Sequence, residues 1–197
     1  MILSNVEIQR ALADGRLVID PVPAPARPDD SSGACPYQTS SVDLRLGDEI
    51  SYFRPGLPIN IDLRSGTFLA LSRQVTDSLT ITNEQPFCLA PGRFVLAKTR
   101  ERVELPVMPA GQTSLAARVE GKSSYARCGV LVHFTAPTIH AGFAGTITLE
   151  LANLGPLPVM LYPNAPICQL AIEEVLGTPF RNDSQFQNQR RAGGHSV

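Results

Sequence analysis

Thr146-Ile147-Thr148-Leu149-Glu150-Leu151 alternates with a period of two. Ile147, Leu149 and Leu151 share one face of an extended segment, and Thr146, Thr148 and Glu150 share the other. That is the pattern of a half-buried strand, and it recurs at 41–47, where Val42, Leu44 and Leu46 alternate with Asp43, Arg45 and Gly47. Further strand candidates lie at 67–71, 79–82, 94–99, 130–134, 159–161 and 169–172, with Pro, Gly, Asn or Asp in most of the gaps. Many short strands at this spacing, with helix only at the edge, predict a mainly β barrel or jelly roll.

The surroundings fit one such domain. A chain of 197 residues is long enough for one sizeable core. Seventeen Lys+Arg against 18 Asp+Glu leave a net charge of -1, which argues against a dedicated nucleic-acid binder. No apolar run approaches the roughly 20 residues that span a bilayer, and Met1 to Asn5 has no signal-peptide character. A soluble, cytoplasmic protein with no membrane partner is the expectation. Cys35, Cys88, Cys128 and Cys168 form no C-x-x-C and have no histidine at ligand spacing, so neither a zinc site nor a disulfide framework is expected. Near the start, Ser4 can cap a short helix and Glu7 can complete a capping box. Val6, Ile8 and Leu12 supply its apolar surface, and Gly15 stops it. Residues 22–30 are Pro-rich and read as a surface loop. The expected organisation is one β domain over 1–180 and a polar tail over 181–197. Composition alone favours disorder for the tail; a lid that orders over a ligand is the functional alternative.

Three places carry candidate chemistry. Residues 119–129 (Val-Glu-Gly-Lys-Ser-Ser-Tyr-Ala-Arg-Cys-Gly) are bracketed by Gly121 and Gly129. One or two helical turns there would put Ser123 and Arg127 on one face. Gly121-Lys122-Ser123 is no P-loop, because Ala116 stands where the first glycine must be. A solvated polar turn and an anion-binding turn both remain open. Glu150 is the second, since glutamate is depleted in strands; it reads as an exposed-face residue or as a general base on a rigid element. The histidines are the third. His133 alternates with Val132 and Phe134 and reads as a surface or interface residue. His140 occupies a turn, and His195 lies in the tail.

Taken together, these segments resemble the dCTP deaminases of the dUTPase superfamily. Ile2-Leu3-Ser4 through Gly15-Arg16-Leu17 is similar to the family's start, and Ser40 through Gly47 to its first strand. Residues 121–129 resemble the Gly-[Arg/Lys]-Ser-[Ser/Thr]-x-[Ala/Gly]-Arg segment. Thr135-Ala136 through Gly142 to Glu150 resembles the catalytic hairpin. Residues 185–189 (Gln-Phe-Gln-Asn-Gln) resemble the tail's Lys-Tyr-x-[Gly/Asn]-Gln. Five such segments in the right order make a specific signal.

The resemblance implies a distorted jelly-roll subunit of the dUTPase type with a short N-terminal helix. It also implies a homotrimer with active sites between subunits, and hydrolytic deamination of dCTP to dUTP and ammonia without zinc. By the same resemblance Glu150 is the general acid/base, and Ser123 and Arg127 hold the water and the carboxylate, helped by the backbone at Ala136. Lys122 and Ser124 contact the triphosphate, with Mg²⁺ sharing its charge. Backbone groups at Thr148 and Leu149 read the base edge. Gln169, Gln185 and Gln189 complete the site once the tail closes, and dTTP is a candidate inhibitor. The lid reading of the tail then prevails over disorder.

The sequence departs from the family in three places. Ile139-His140-Ala141-Gly142 stands where Ile-Asp-Pro-Gly is usual; that aspartate contacts the sugar 3′-hydroxyl and, in dUTPases, helps orient the attacking water. Imidazole can donate to the same hydroxyl, so sugar recognition is expected at His140. Gln185 and Phe186 replace the usual lysine and tyrosine, and Phe180 stands in for the aromatic near the nucleotide. The runner-up function is a bifunctional enzyme giving dUMP and pyrophosphate. The reading from another class is an inactive nucleotide-binding regulator.

Overall fold

The computed structural model describes residues 1–28, 34–57, 60–62, 64, 68–182 and 186–196. Helix α1 (Asn5–Ala13) starts on Ser4, whose hydroxyl accepts from the Glu7 N–H at 3.4 Å. The capping box is only half formed, because the Glu7 carboxylate takes Arg10 at 2.6 Å instead of reaching back. Ile8 and Ala11 face the core, with Leu12 packed against it, whereas Val6, expected on the apolar face, is exposed. The chain stops the helix at Gly15, φ 72°. Gln9 and Cys35 hydrogen-bond to the carbonyls of Ala26 and Pro25, so the Pro-rich loop is tied to this domain.

The rest is mainly β, as the alternation predicts. The strands are β1 (Val18–Asp20), β2 (Tyr37–Gln38), β3 (Ser41–Phe53), β4 (Thr76–Thr80), β5 (Phe87–Leu89), β6 (Phe94–Glu104), β7 (Leu115–Gly121), β8 (Val130–Val132), β9 (Thr138–Ile139), β10 (Ala144–Asn153), β11 (Val159–Leu161) and β12 (Pro166–Glu174). Helix α2 spans Phe68–Val75 and α3 spans Ser123–Arg127. The main sheet runs β8-β10-β6-β3-β12-β7-β9, with β1 beside β6 and with β2 and β4 beside β3; β5 and β11 form a separate pair. All pairings are antiparallel.

The long strand β3 links the two halves. Its first part pairs with β12 and its second with β4 and β6. Leu44, Leu46 and Ile50 from β3, Ile147, Leu149 and Leu151 from β10, and Leu170 and Ile172 from β12 are all at most 1% exposed. Each such side chain contributes roughly 1.5–3 kcal/mol by leaving water, which fixes which face of each strand turns inward.

Several expected boundaries move. Residues 68–75 wind into α2 where a strand was expected at 67–71, Thr67 itself lying outside the described residues. Among the helix residues whose burial is described, Ser72 and Val75, three apart, are the buried ones, which is a helical period; a short apolar run does not distinguish the two by itself. The strand expected at 79–82 is β4, which starts three residues earlier and ends at Thr80, beyond which the Ile81 N–H donates to the Asp48 carbonyl. The strand expected at 130–134 ends at Val132, since His133 takes a left-handed φ of 51°. The loop at 31–38 closes with Tyr37–Gln38 paired to Ser41 and Val42, and residues 31–33 lie outside the description. Among the described residues no helix is long and apolar enough to cross a membrane.

Candidate active site

Where Glu150 points is decided by a bulge. Register between β10 and β6 shifts between Thr146 and Thr148, and the Ile147 N–H at the shift donates to Thr99 Oγ1 at 2.9 Å. Thr99 in turn donates to the Glu101 carbonyl, and the 1% exposed Glu101 carboxylate accepts the Arg45 N–H and Nε at 2.8 and 2.6 Å. The ladder restarts at Thr148 opposite Lys98 and places Glu150 opposite Leu96. Thr146, Thr148 and Glu150 come out half-buried on one face, and Ile147, Leu149 and Leu151 are buried on the other, as the sequence alternation requires.

Around the Glu150 carboxylate, Thr135 Oγ1 donates to Oε2 at 3.4 Å and His133 Nδ1 lies 3.9 Å from the same oxygen. His133 is 8% exposed, its N–H donates to the Glu150 carbonyl at 2.8 Å, and its Nε2 lies 2.8 Å from the Ala136 carbonyl. A carbonyl only accepts, so Nε2 carries a proton, and in the neutral imidazole Nδ1 then presents a lone pair. That Nδ1 is buried with no hydrogen-bond partner. The surface reading of His133 is therefore corrected. Strand alternation gave no hint of it, because the left-handed turn at this residue swings the ring inward.

The open edge of β10 carries the second element of the site. Alternate residues direct their backbone groups to that edge. Ala144 and Thr146 are paired by tail residues: the Asn188 N–H donates to the Ala144 carbonyl at 2.7 Å and the Thr146 N–H to the Gln189 carbonyl at 2.9 Å. Gln189, 5% exposed, also donates from Nε2 to the Thr146 carbonyl at 2.7 Å. Further along, the Glu150 carbonyl is taken by His133 and residues 151–153 by β8. Thr148 lies between these two contacts, its N–H and C=O facing the gap. Its hydroxyl oxygen is buried without a partner. Leu149, next along, turns its backbone toward β6 and its side chain into the core.

A third cluster lies on the other half of the sheet. Asp43 on β3 accepts Lys122 Nζ at 2.6 Å on one oxygen and Gln169 Nε2 at 3.1 Å on the other. Lys122 leads into α3, where Ser123 and Ser124 occupy the first turn and Arg127 the last; Arg127 donates back to the Ser123 carbonyl at 3.3 Å. Asp43 was not among the candidate residues, although it sits in the quoted first strand. Only the cross-strand pairing of Asp43 with Gln169 reveals it.

Within this one chain the expected residues form two groups. Lys122 and Gln169 gather on Asp43, with Ser123, Ser124 and Arg127 adjoining in α3. Glu150, Thr148, Ala136 and Gln189 gather along β10. Among the described residues no hydrogen bond or ion pair joins Ser123 or Arg127 to Glu150. His140 is exposed in the turn after β9 and Phe180 is 89% exposed. Gln185 lies outside the described residues. A cleft of about 480 Å³ opens elsewhere, lined by Gly47, Asp48, Lys98, Arg100 and Asn164, and none of the expected residues lines it. No three or more His, Cys, Asp or Glu side chains among the described residues are grouped so as to hold a metal ion.

Comparison with known proteins identifies the family and the fold. Residues 2–175 match the family model described as dCTP deaminase-like. A dUMP-forming dCTP deaminase of Methanosphaera stadtmanae is 41% identical over 87% of this chain and 78% of its own. One from Dictyoglomus thermophilum is 37% identical over 96% and 91% of the two chains. A dCTP deaminase of Rhodospirillum rubrum is 39% identical over 89% and 84%. In fold, the chain is similar to the crystal structure of 2′-deoxycytidine 5′-triphosphate deaminase from Agrobacterium tumefaciens, with TM-score 0.59 and 19% identity over 87% of this chain and 47% of that one.

Proposed function

The chain belongs to the dCTP deaminase-like family, and on that premise we propose that it hydrolyses the C4 amino group of dCTP, releasing ammonia and dUTP. The observation that carries this reading is the setting of Glu150. Its carboxylate is held on a rigid strand, next to a hydroxyl donor and next to a buried imidazole nitrogen with a bare lone pair.

Glu150 takes a proton from water as the hydroxyl adds to C4, then passes it to the departing nitrogen. While Glu150 is protonated, the Thr135 hydroxyl and His133 Nδ1 are the acceptors beside it. The Ala136 carbonyl has a second lone pair with which to orient the water, the first being used by His133. The N–H and C=O of Thr148 offer the donor–acceptor pair that reads a pyrimidine edge, with Leu149 holding the strand in place. Lys122 and Ser124 meet the triphosphate, whose Mg²⁺ arrives as part of the substrate, and Gln169, Gln185 and Gln189 close around it. His140 donates to the 3′-hydroxyl and Phe180 lies near the nucleotide. The reaction is a carboxylate's proton chemistry, run without zinc.

The site is shared between copies of the chain in a homotrimer. The separation of Ser123 and Arg127 from Glu150 supports this, as a second copy would bring its α3 to the first copy's β10. The exposed apolar side chains Leu154, Leu157 and Phe134 supply surface for such an assembly. dTTP, which shares the sugar and triphosphate, competes for the same site.

A second reading adds hydrolysis of the product to dUMP and pyrophosphate. The names of the Methanosphaera and Dictyoglomus relatives favour it; His140 in place of aspartate opposes it. Incubation with dCTP and Mg²⁺, with nucleotides resolved by chromatography and ammonia and pyrophosphate assayed separately, tests both. Ammonia with dUTP establishes the first reading, and ammonia with stoichiometric pyrophosphate and dUMP the second. Tight dCTP binding with no product would make the protein a nucleotide-binding regulator.

A further inference from the structure

Strand β6 leaves both of its ladders at one place, and two of its own side chains stand in for the missing backbone partners. Against β10 the pairing steps from Thr146 opposite Arg102 to Thr148 opposite Lys98, so β6 has two more residues in that interval than β10. Against β3 it steps from Leu46 opposite Thr99 to Ile50 opposite Ala97, and there β3 holds the excess. The Ile147 N–H faces β6 inside the first irregularity and donates to Thr99 Oγ1 at 2.9 Å. On the β3 side the Arg45 N–H donates to Glu101 Oε2 at 2.8 Å. Thr99 is fully buried, and its hydroxyl proton is committed to the Glu101 carbonyl at 2.7 Å, which leaves the oxygen lone pairs for Ile147. The Glu101 side chain is held in turn by Arg45 Nε at 2.6 Å.

The shift decides which neighbour Glu150 acquires. Pairing carried on without it from Thr146 and Arg102 would set Thr148 opposite Arg100 and Glu150 opposite Lys98. The carboxylate would still face outward, because two residues preserve the alternation, but it would sit about 7 Å back along β6. There an ammonium would lie directly across from it and hold it as an ion pair. The observed register puts Glu150 opposite Leu96 and leaves Lys98 to Asp48, at 3.3 Å. We propose that Thr99 is a positioning residue for the reaction: its hydroxyl holds the two-residue shift that keeps Glu150 clear of Lys98. A buried N–H is costly to leave without an acceptor, so Ile147 stays at the shift only while the hydroxyl is there. Misplacing a reacting group by about 1 Å already slows chemistry strongly, so loss of the hydroxyl acts on kcat. Lys122 and α3, which meet the triphosphate, lie on the other half of the sheet, so KM changes little. The effect on turnover rests on the deaminase reading; the hold on β10 does not.

Hydrogen exchange and turnover, both on the full-length protein, test this. In the nucleotide-free wild type the Ile147 amide should exchange at least about tenfold more slowly, corrected for intrinsic rates, than the Thr148 amide at the open edge. Thr99→Val keeps nearly the same shape without the hydroxyl and should speed Ile147 exchange about tenfold or more. With dCTP, followed as ammonia, Thr99→Val should lower kcat at least about tenfold while KM stays within about threefold. Thr99→Ser keeps the hydroxyl and should hold kcat within about threefold of wild type. Should Thr99→Val fail to fold, the wild type still decides: equal exchange of Ile147 and Thr148 would overturn the proposal. So would an unchanged kcat in folded Thr99→Val, or a loss in Thr99→Ser as large as in Thr99→Val, which would assign the effect to packing of the methyl group. If the wild type releases no ammonia from dCTP but Thr99→Val still speeds Ile147 exchange, the hold on β10 stands and the deaminase reading falls.

Discussion

At the scale of the residue, Glu150 shows how a strand position becomes a chemical one. Its outward aim follows from alternation, which is plain in the sequence, but its partner opposite, Leu96, is set by the Thr99 hydroxyl inserted at the β10 bulge. Glu150→Gln keeps the shape and the strand while removing the proton acceptor. Turnover of dCTP should fall by about a thousandfold or more, with the dissociation constant changed less than about threefold. Ammonia release and calorimetric titration with dCTP check the two halves separately; near-normal turnover would remove Glu150 from the role. His133 is the counterexample in legibility. Its left-handed backbone and buried ring are properties of a turn between β8 and β9, and neither residue type nor spacing announces them.

At the scale of the element, α3 is a five-residue helix with no fully buried residue, held to the core by the half-buried Tyr125. Its far end is fixed by the glycine that follows. Gly129 has φ +83°, and a Cβ there would stand 2.4 Å from the Gly155 nitrogen; the Leu154 N–H donates to the Gly129 carbonyl at 2.8 Å. The end of α3 is thus pressed backbone to backbone on the turn after β10. Gly129→Ala meets both the positive φ and the close approach, and should cost about 2–4 kcal/mol of stability. Urea unfolding measures the cost; an unchanged midpoint would show that the contact gives way freely.

The tail is an element whose docking should depend on pH. Burial, then the charges of Arg73 and Arg191, hold the His195 imidazole below its ordinary 6.5, with Glu49 pulling the other way. A released tail consequently binds a proton more readily than a docked one. Docking is then fully supported above pH 6.5 and weakens as pH falls below it toward the docked value. Hydrogen exchange at Asn188 and Gln189, corrected for its intrinsic pH dependence, should show protection that is full above pH 6.5 and falls as pH drops below it, and His195→Gln should flatten that loss. Protection that stays constant as pH falls in wild type would leave His195 without influence on the tail.

At the scale of the whole molecule, the question is how Ser123 and Arg127 come to meet Glu150. If the site lies between copies, two inactive variants should rescue each other. Glu150→Gln supplies an intact α3 and Ser123→Ala an intact carboxylate. Mixed at equal ratio through unfolding and refolding, random trimers would regain about a quarter of wild-type activity, because one in four neighbouring pairs joins the two good halves. Activity that stays at background in the mixture would place all three residues in one chain's site.

The sequence by itself determined the fold class, the core face of the strands at 41–47 and 146–151, the capped N-terminal helix and the membership of Ser123, Arg127 and Glu150 in one family pattern. Those properties are local, being written in the two-residue period, in glycines and prolines at turns, and in residue order. Tertiary structure alone decided what lies far apart in the chain. It turned 68–75 into a helix through the burial of Ser72 and Val75, joined Asp43 to Lys122 and Gln169 across three strands, swung His133 beside Glu150, and brought Arg191 to Glu49. Contacts between distant residues depend on where the sheet bends and bulges, which is settled by the sum of many packing energies and leaves no mark at the residues that finally touch.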